Sequence, residues 1–173
     1  VDHGTLLKRL SDRLGIKGNA LELVSSYLDN CKQFVVVNGT RSSEQTLDYN
    51  VPHGSVLGPG LFGDYGSPVG GIFRKHGIEF HLYADDTQVY VSFPLQSKSE
   101  AREKLEQCLQ EVRLWMAQNY LKLNDDKTDF IILGSKANLQ KVTTTHVTIG
   151  EAQVKPADSV KNIGACLDKH MKL

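Results

Sequence analysis

The sequence predicts an α+β fold, an antiparallel sheet with helices packed on one face. Three observations point there. Apolar residues recur at helical spacing near the start and again after Ser97. Asn38-Gly39 sits between two β-forming runs and is a strong hairpin turn. A third β-forming run, Phe80 to Val91, is split at its middle by Asp85-Asp86. Helices and hairpins mixed in this way suit one layer of sheet under one of helix. With no repeat, low-complexity tract or linker, the whole chain, 1–173, reads as a single domain.

Each element follows from its own residues. Leu6, Leu7, Leu10 and Leu14 make the apolar stripe of a helix over Thr5 to Leu14, ended by Gly15. Asn19 to Leu28 is a second helix, with Ala20, Leu21, Leu23, Val24 and Tyr27 apolar. Gln33 to Val37 is a strand, and Ser42 to Leu47 its partner. A Gly- and Pro-rich segment follows, with a helix expected after Ser55. The Asp85-Asp86 hairpin comes next. Ser97 and Glu100 form a capping box for the clearest helix, whose stripe is Ala101, Leu105, Cys108, Leu109, Val112 and Met116. Phe130 to Leu133 is a buried strand; His146 to Ile149, Val154 and Val160 to Leu167 supply short strands near the end.

At 173 residues, 40% of them hydrophobic, the chain can bury a real core. No apolar run reaches transmembrane length and no signal-peptide pattern is present, so an intracellular location, cytoplasmic or nuclear, with no membrane partner is expected. Cys31, Cys108 and Cys166 are widely spaced with no C-x-x-C, which argues for reduced thiols and against a zinc site or a disulfide frame. Cys108 and Cys166 read as core filling. Lys+Arg and Asp+Glu are both 20, whereas a free-standing nucleic-acid binder usually carries a basic excess. The local clusters, Lys8, Arg9, Arg13 and Lys17, and Arg74-Lys75-His76, read as solvated faces.

Two adjacent carboxylates inside an apolar and aromatic run are the strongest chemical signal. Burying them unpaired is costly, so the hairpin tip that exposes them is the natural geometry. Such a tip is equally an ordinary solvated turn or a site for a hard divalent cation. Upstream, Gly54 allows close backbone approach, and a helix starting after it would favour phosphate at its amino end. Lys127, read from the residues alone, is a surface lysine guarding a strand edge. His81 has no second His or Cys at ligand spacing and reads as a strand-face residue. Asn124 and Trp115 read as a turn residue and a core aromatic.

Five ordered blocks carry a resemblance. Val51-Pro52-His53-Gly54-Ser55-Val56-Leu57-Gly58-Pro59 precedes Tyr83-Ala84-Asp85-Asp86-Thr87. Trp115, Asn119, Leu121, Leu123-Asn124 and Lys127-Thr128 follow, then Val160-Lys161-Asn162-Ile163-Gly164 through Leu167-Asp168. Val1-Asp2-His3 with Leu6-Leu7 and Arg9-Leu10 opens the chain. Together they resemble the reverse transcriptase domain of non-LTR (LINE-type) retrotransposons.

The resemblance implies a polymerase palm with part of the fingers and no thumb, divided into a fingers/palm portion, 1–60, and a palm with the Asp-Asp hairpin, 61–173. It implies an RNA-directed DNA polymerase that adds dNTPs to a DNA primer on an RNA template. Two-metal transfer would use Mg²⁺, with Mn²⁺ as a substitute, at Asp85 as principal and Asp86 as secondary ligand. Tyr83 and Ala84 would lie under the primer end. Pro52, His53, Gly54 and Ser55 would meet nucleotide and template, and Lys127 would assist pyrophosphate departure. The chain departs from the pattern at Asn50, His53, Gly60 and Gly63-Asp64, and the extra glycines should weaken the helix after Ser55. It is also expected to start after the family's other metal-binding aspartate. It is therefore read as an N-terminally truncated fragment, inactive alone. The alternative is a non-catalytic nucleic-acid-binding or scaffolding remnant. Oligomeric state is left open.

Overall fold

The computed structural model describes residues 1–173 apart from 30, 48, 50, 52–53, 143–145 and 171–173. Helix α1, His3–Leu14, starts where Asp2 caps it, its Oδ1 accepting the Thr5 amide at 2.7 Å. The Thr5 hydroxyl, and then that amide hydrogen bond, hold the Asp2 carboxyl below the usual carboxylate range. Gly15, at φ 69°, ends the helix in the left-handed conformation that glycine adopts without strain. Helix α2, Asn19–Leu28, packs against α1.

A hairpin arm follows, built from β1 (Lys32–Gln33), β2 (Val36–Val37), β3 (Thr40–Arg41) and β4 (Gln45–Thr46). β1 pairs with β4 and β2 with β3, both antiparallel. Asn38 and Gly39 form the tip with φ of 50° and 78°, as the sequence predicts. The strand expected over Gln33 to Val37 is broken in two. Of its expected partner, Ser42 to Leu47, only β4 is strand, while β3 precedes it. Ser42 interrupts the ladder, its Oγ accepting the Val35 amide at 3.0 Å. All of 32–46 is exposed, and Arg41 lies 3.6 Å over the Phe34 ring.

Helix α3, Gly58–Gly66, carries Pro59 in its first turn. It begins three residues later than the sequence suggested, because the Ser55 Oγ accepts the Gly58 amide at 2.9 Å and holds 55–57 as a lead-in turn. Its glycines do not prevent the helix, which buries Leu61 and Tyr65. Helix α4 (Val69–Lys75) leads to a hairpin of β5 (Glu79–Tyr83) and β6 (Asp86–Tyr90). Helix α5, Lys98–Gln118, follows a 3₁₀ turn at Leu95–Ser97, has Glu100 in its first turn and buries Cys108 and Val112. Then come β7 (Phe130–Ile131), α6 (Lys136–Leu139), β8 (Val147–Ile149), β9 (Ala152–Val154), β10 (Pro156–Ala157), β11 (Ser159–Asn162) and β12 (Ala165–Asp168).

The α+β class holds. Among the described residues the strands form six two-stranded ladders instead of one continuous sheet. Strands of two to five residues offer little edge for a further neighbour. One ladder, β7 with β10, is parallel. Phe130–Ile131 is half-buried, less than a central strand would be.

The chain resolves into two compact units, each assembled from three stretches: Val1–Gly70, Phe80–Gln88 and Asn119–Leu121 in the first, and Gly71–Glu79, Val89–Gln118 and Lys122–Leu173 in the second. The first unit has a core of Leu6, Leu10, Leu28, Val51, Leu61 and Tyr65, with Leu7, Val24 and Leu121 packed against it. In the second, Phe73, Ile78, Cys108, Val112, Val147 and Ile149 are buried. There α5 lies on β8, and the Glu106 Oε1 accepts the Thr148 amide at 2.7 Å. Burial pushes the Cys108 thiol up to about 11, as befits a core-filling residue. Cys166, expected to be the same, is instead exposed on β12.

Candidate functional site

Alternation along β5 sets Phe80 and Leu82 half-buried and leaves His81 and Tyr83 exposed. The chain then reverses in two residues, Ala84 and Asp85. Ala84 has φ 51°, a left-handed conformation that costs an alanine roughly 1–2 kcal/mol. The reversal puts Asp85 on the turn and Asp86 at the first position of β6, both exposed. The hairpin tip expected from the sequence is thus present, with Tyr83, Ala84, Asp85 and Asp86 contiguous on it. Tyr83 is 61% exposed, so its ring is available to a ligand.

Gly54 and Ser55 belong to the same unit as the hairpin. Gly54 has φ 76° and nothing within 4 Å of the place a Cβ would take, so its backbone is open to close approach. The Ser55 Oγ is committed as an acceptor to the Gly58 amide, while its own proton is free to donate. Pro52 and His53 lie outside the described residues. Lys127 belongs to the second unit, exposed at the end of the 3₁₀ turn Asp125–Lys127. That turn is closed by bonds from Lys127 N–H and the Thr128 hydroxyl to the Asn124 carbonyl. Asn124 is the turn residue the sequence suggested, and Lys127 sits on this turn, not on a strand edge.

Asp85 and Asp86 supply hard oxygen donors of the kind Mg²⁺ prefers. Among the described residues no group of three or more His, Cys, Asp or Glu side chains is placed to hold a metal.

Two arrangements escaped the sequence. Arg9 donates to the Tyr65 carbonyl and to the Asn119 side chain, while the Tyr65 hydroxyl donates to the Asn119 carbonyl at 2.7 Å. The second is a ring pair, Tyr49 and Tyr120, with centroids 6.4 Å apart. Their members are too far apart in sequence for any periodicity to link them. The one local signal was a bulky residue at 120, immediately after Asn119, where the backbone turns left-handed.

Neither a curated protein nor a solved structure matches the chain. The profile of one family, reverse transcriptase (RNA-dependent DNA polymerase), matches residues 2–165. That span takes in α1, the segment from Val51 to Pro59, the Asp-Asp hairpin, the Asn124–Thr128 turn and most of β11–β12. The chain belongs to the reverse transcriptase family.

Proposed function

We propose that this chain is the reverse transcriptase domain of a non-LTR retrotransposon, with Asp85 and Asp86 as two of the carboxylates of a two-metal nucleotidyl-transfer site. The observation that carries the reading is the exposed Asp85-Asp86 tip in a chain matched by the family over residues 2–165. Reverse transcriptases as a family use divalent ions and act on an RNA template, a primer and dNTPs. In this reading Tyr83 and Ala84 support the primer end. Gly54 and Ser55, with Pro52 and His53, face the nucleotide and template, and Lys127 assists the departing pyrophosphate.

In this reading the chain on its own is inactive, since it departs from the family pattern at Asn50, His53, Gly60 and Gly63-Asp64. The same departures favour a second reading, a nucleic-acid-binding or scaffolding remnant that retains the fold without the chemistry.

Primer extension on an RNA template with Mg²⁺ or Mn²⁺ tests both, comparing the chain with Asp85→Ala. The expected result is no extension by either protein. Extension by the wild type that disappears in Asp85→Ala would overturn the claim of inactivity and establish the polymerase. Primer-template affinity without extension supports the remnant.

A further inference from the structure

The strained residue Tyr120 bears a ring that the fold does not use. Its φ is 55°, a left-handed conformation in which a bulky residue is an outlier. Such strain persists only where the surroundings fix the backbone on both sides. They do so here: Asn119 is held by Arg9 and Tyr65, and Leu121 packs against the core of the first unit. The ring between them is 71% exposed, so it contributes little burial in return for the strain. It stands beside Tyr49, itself 59% exposed, at 6.4 Å and a tilt of 38°. The tilt keeps the rings from covering one another face to face, which leaves π-surface on both open to a third planar group.

We propose that Tyr49 and Tyr120 form a stacking platform for an unpaired nucleobase of a single strand. Aromatic rings that stack on bases are sequence-tolerant, because every base presents a π-face. Tyr49 is held by an antiparallel backbone bridge to Asp2, so the backbone under both rings is fixed. The proposal rests on the reading of this chain as a nucleic-acid-handling domain.

The full chain is titrated by fluorescence anisotropy with a short oligothymidine and with an abasic oligonucleotide of equal length. Variants are Tyr120→Asn, Tyr49→Ser and Tyr120→Phe. Wild type should prefer the base-bearing strand about ten-fold, the value of one stacked base. Tyr120→Asn should lose that preference and keep the salt dependence of binding, since no phosphate contact is removed. Its thermal midpoint should not fall, because asparagine accepts the left-handed backbone. Tyr120→Phe should bind as wild type. A wild type that binds the strand while Tyr120→Asn and Tyr49→Ser keep full preference for bases overturns the platform alone. Loss of cooperative unfolding in Tyr120→Asn also overturns it, by making the ring structural. A wild type that binds neither oligonucleotide overturns the nucleic-acid reading and the platform with it.

Discussion

The guanidinium of Arg9 lies 4.6 Å from the centroid of the Tyr65 ring, and it donates to the carbonyl of the same tyrosine. One residue of α1 thereby grips α3 through both its ring and its backbone, and it reaches Asn119 with its other nitrogen. Burial lowers the pKa of Arg9, the expected direction for a cation taken out of water.

Replacing Arg9 with Met should therefore destabilise the first unit by about 2–3 kcal/mol, since hydrogen bonds to a charged group are lost and the Asn119 and Tyr65 acceptors are left half-buried. Arg9→Lys should recover only part of this, because an ammonium cannot match the planar fork. Urea denaturation of the three proteins measures it. Equal stability of Arg9→Met and wild type would show that the contact is idle.

At the β11–β12 turn a substitution should stabilise. Ile163 and Gly164 have φ of 43° and 83°, a turn in which both central residues are left-handed. A β-branched residue is poorly suited there, and Ile163 is 56% exposed, so little packing is lost with it. Ile163→Asn should raise stability by about 1 kcal/mol, read as a higher thermal midpoint. A lower midpoint would mean that the isoleucine side chain carries contacts outweighing its strain.

Gly150 should accept a side chain only where Arg113 gives way. A Cβ there would lie 2.4 Å from the Arg113 Cζ, and the residue has φ 64°. Gly150→Ala must displace a guanidinium that pairs with Asp125 at 2.5 Å. The cost should exceed the roughly 1–2 kcal/mol of backbone strain alone. In Arg113→Ala the further change Gly150→Ala should cost only the strain, a non-additivity that a double-mutant cycle measures. Strict additivity would place the two residues out of contact.

A pH dependence follows from Glu111. Its carboxylate accepts both contacts of Lys75 at 2.9 Å and faces His76 at 2.8 Å, and these, Lys75 first, hold its pKa below the usual glutamate range. A depressed carboxylate stabilises the fold above its unfolded pKa and loses that contribution as pH falls through the folded value. Wild type and Glu111→Gln should thus differ in thermal midpoint at neutral pH and converge below the glutamate range. Added salt should narrow the neutral-pH gap, because the pair is exposed. A gap that widens on acidification would contradict this assignment.

How far the sequence could be read depended on distance along the chain. Leu6 and Leu10, one helical turn apart, announced the buried face of α1; Cys108 and Val112 did the same for α5. Asn38-Gly39 and Asp85-Asp86 fixed their turns by local chemistry. The strand ends were less legible, since Ser42 breaks its ladder through a side chain seven residues from Val35. Cys166 looked like Cys108 because a cysteine's type does not state which face of a strand it occupies. Pairings such as Arg9 with Asn119 have no local trace and appear only when the chain has folded.

The first unit takes its members from 1–70, 80–88 and 119–121, while α5 lies wholly in the second. Leu121, which seals the first core, is thus synthesised after every residue of a helix that is not part of that core. Between Gly70 and Asn119 the ribosome adds about fifty residues, several seconds of elongation at roughly 5–20 residues per second. During that interval the core around α1 and α2 lacks Leu121, which packs against it. The core of the first unit is therefore complete only once the three residues that follow α5 have been made, however early α1 to α3 leave the ribosome.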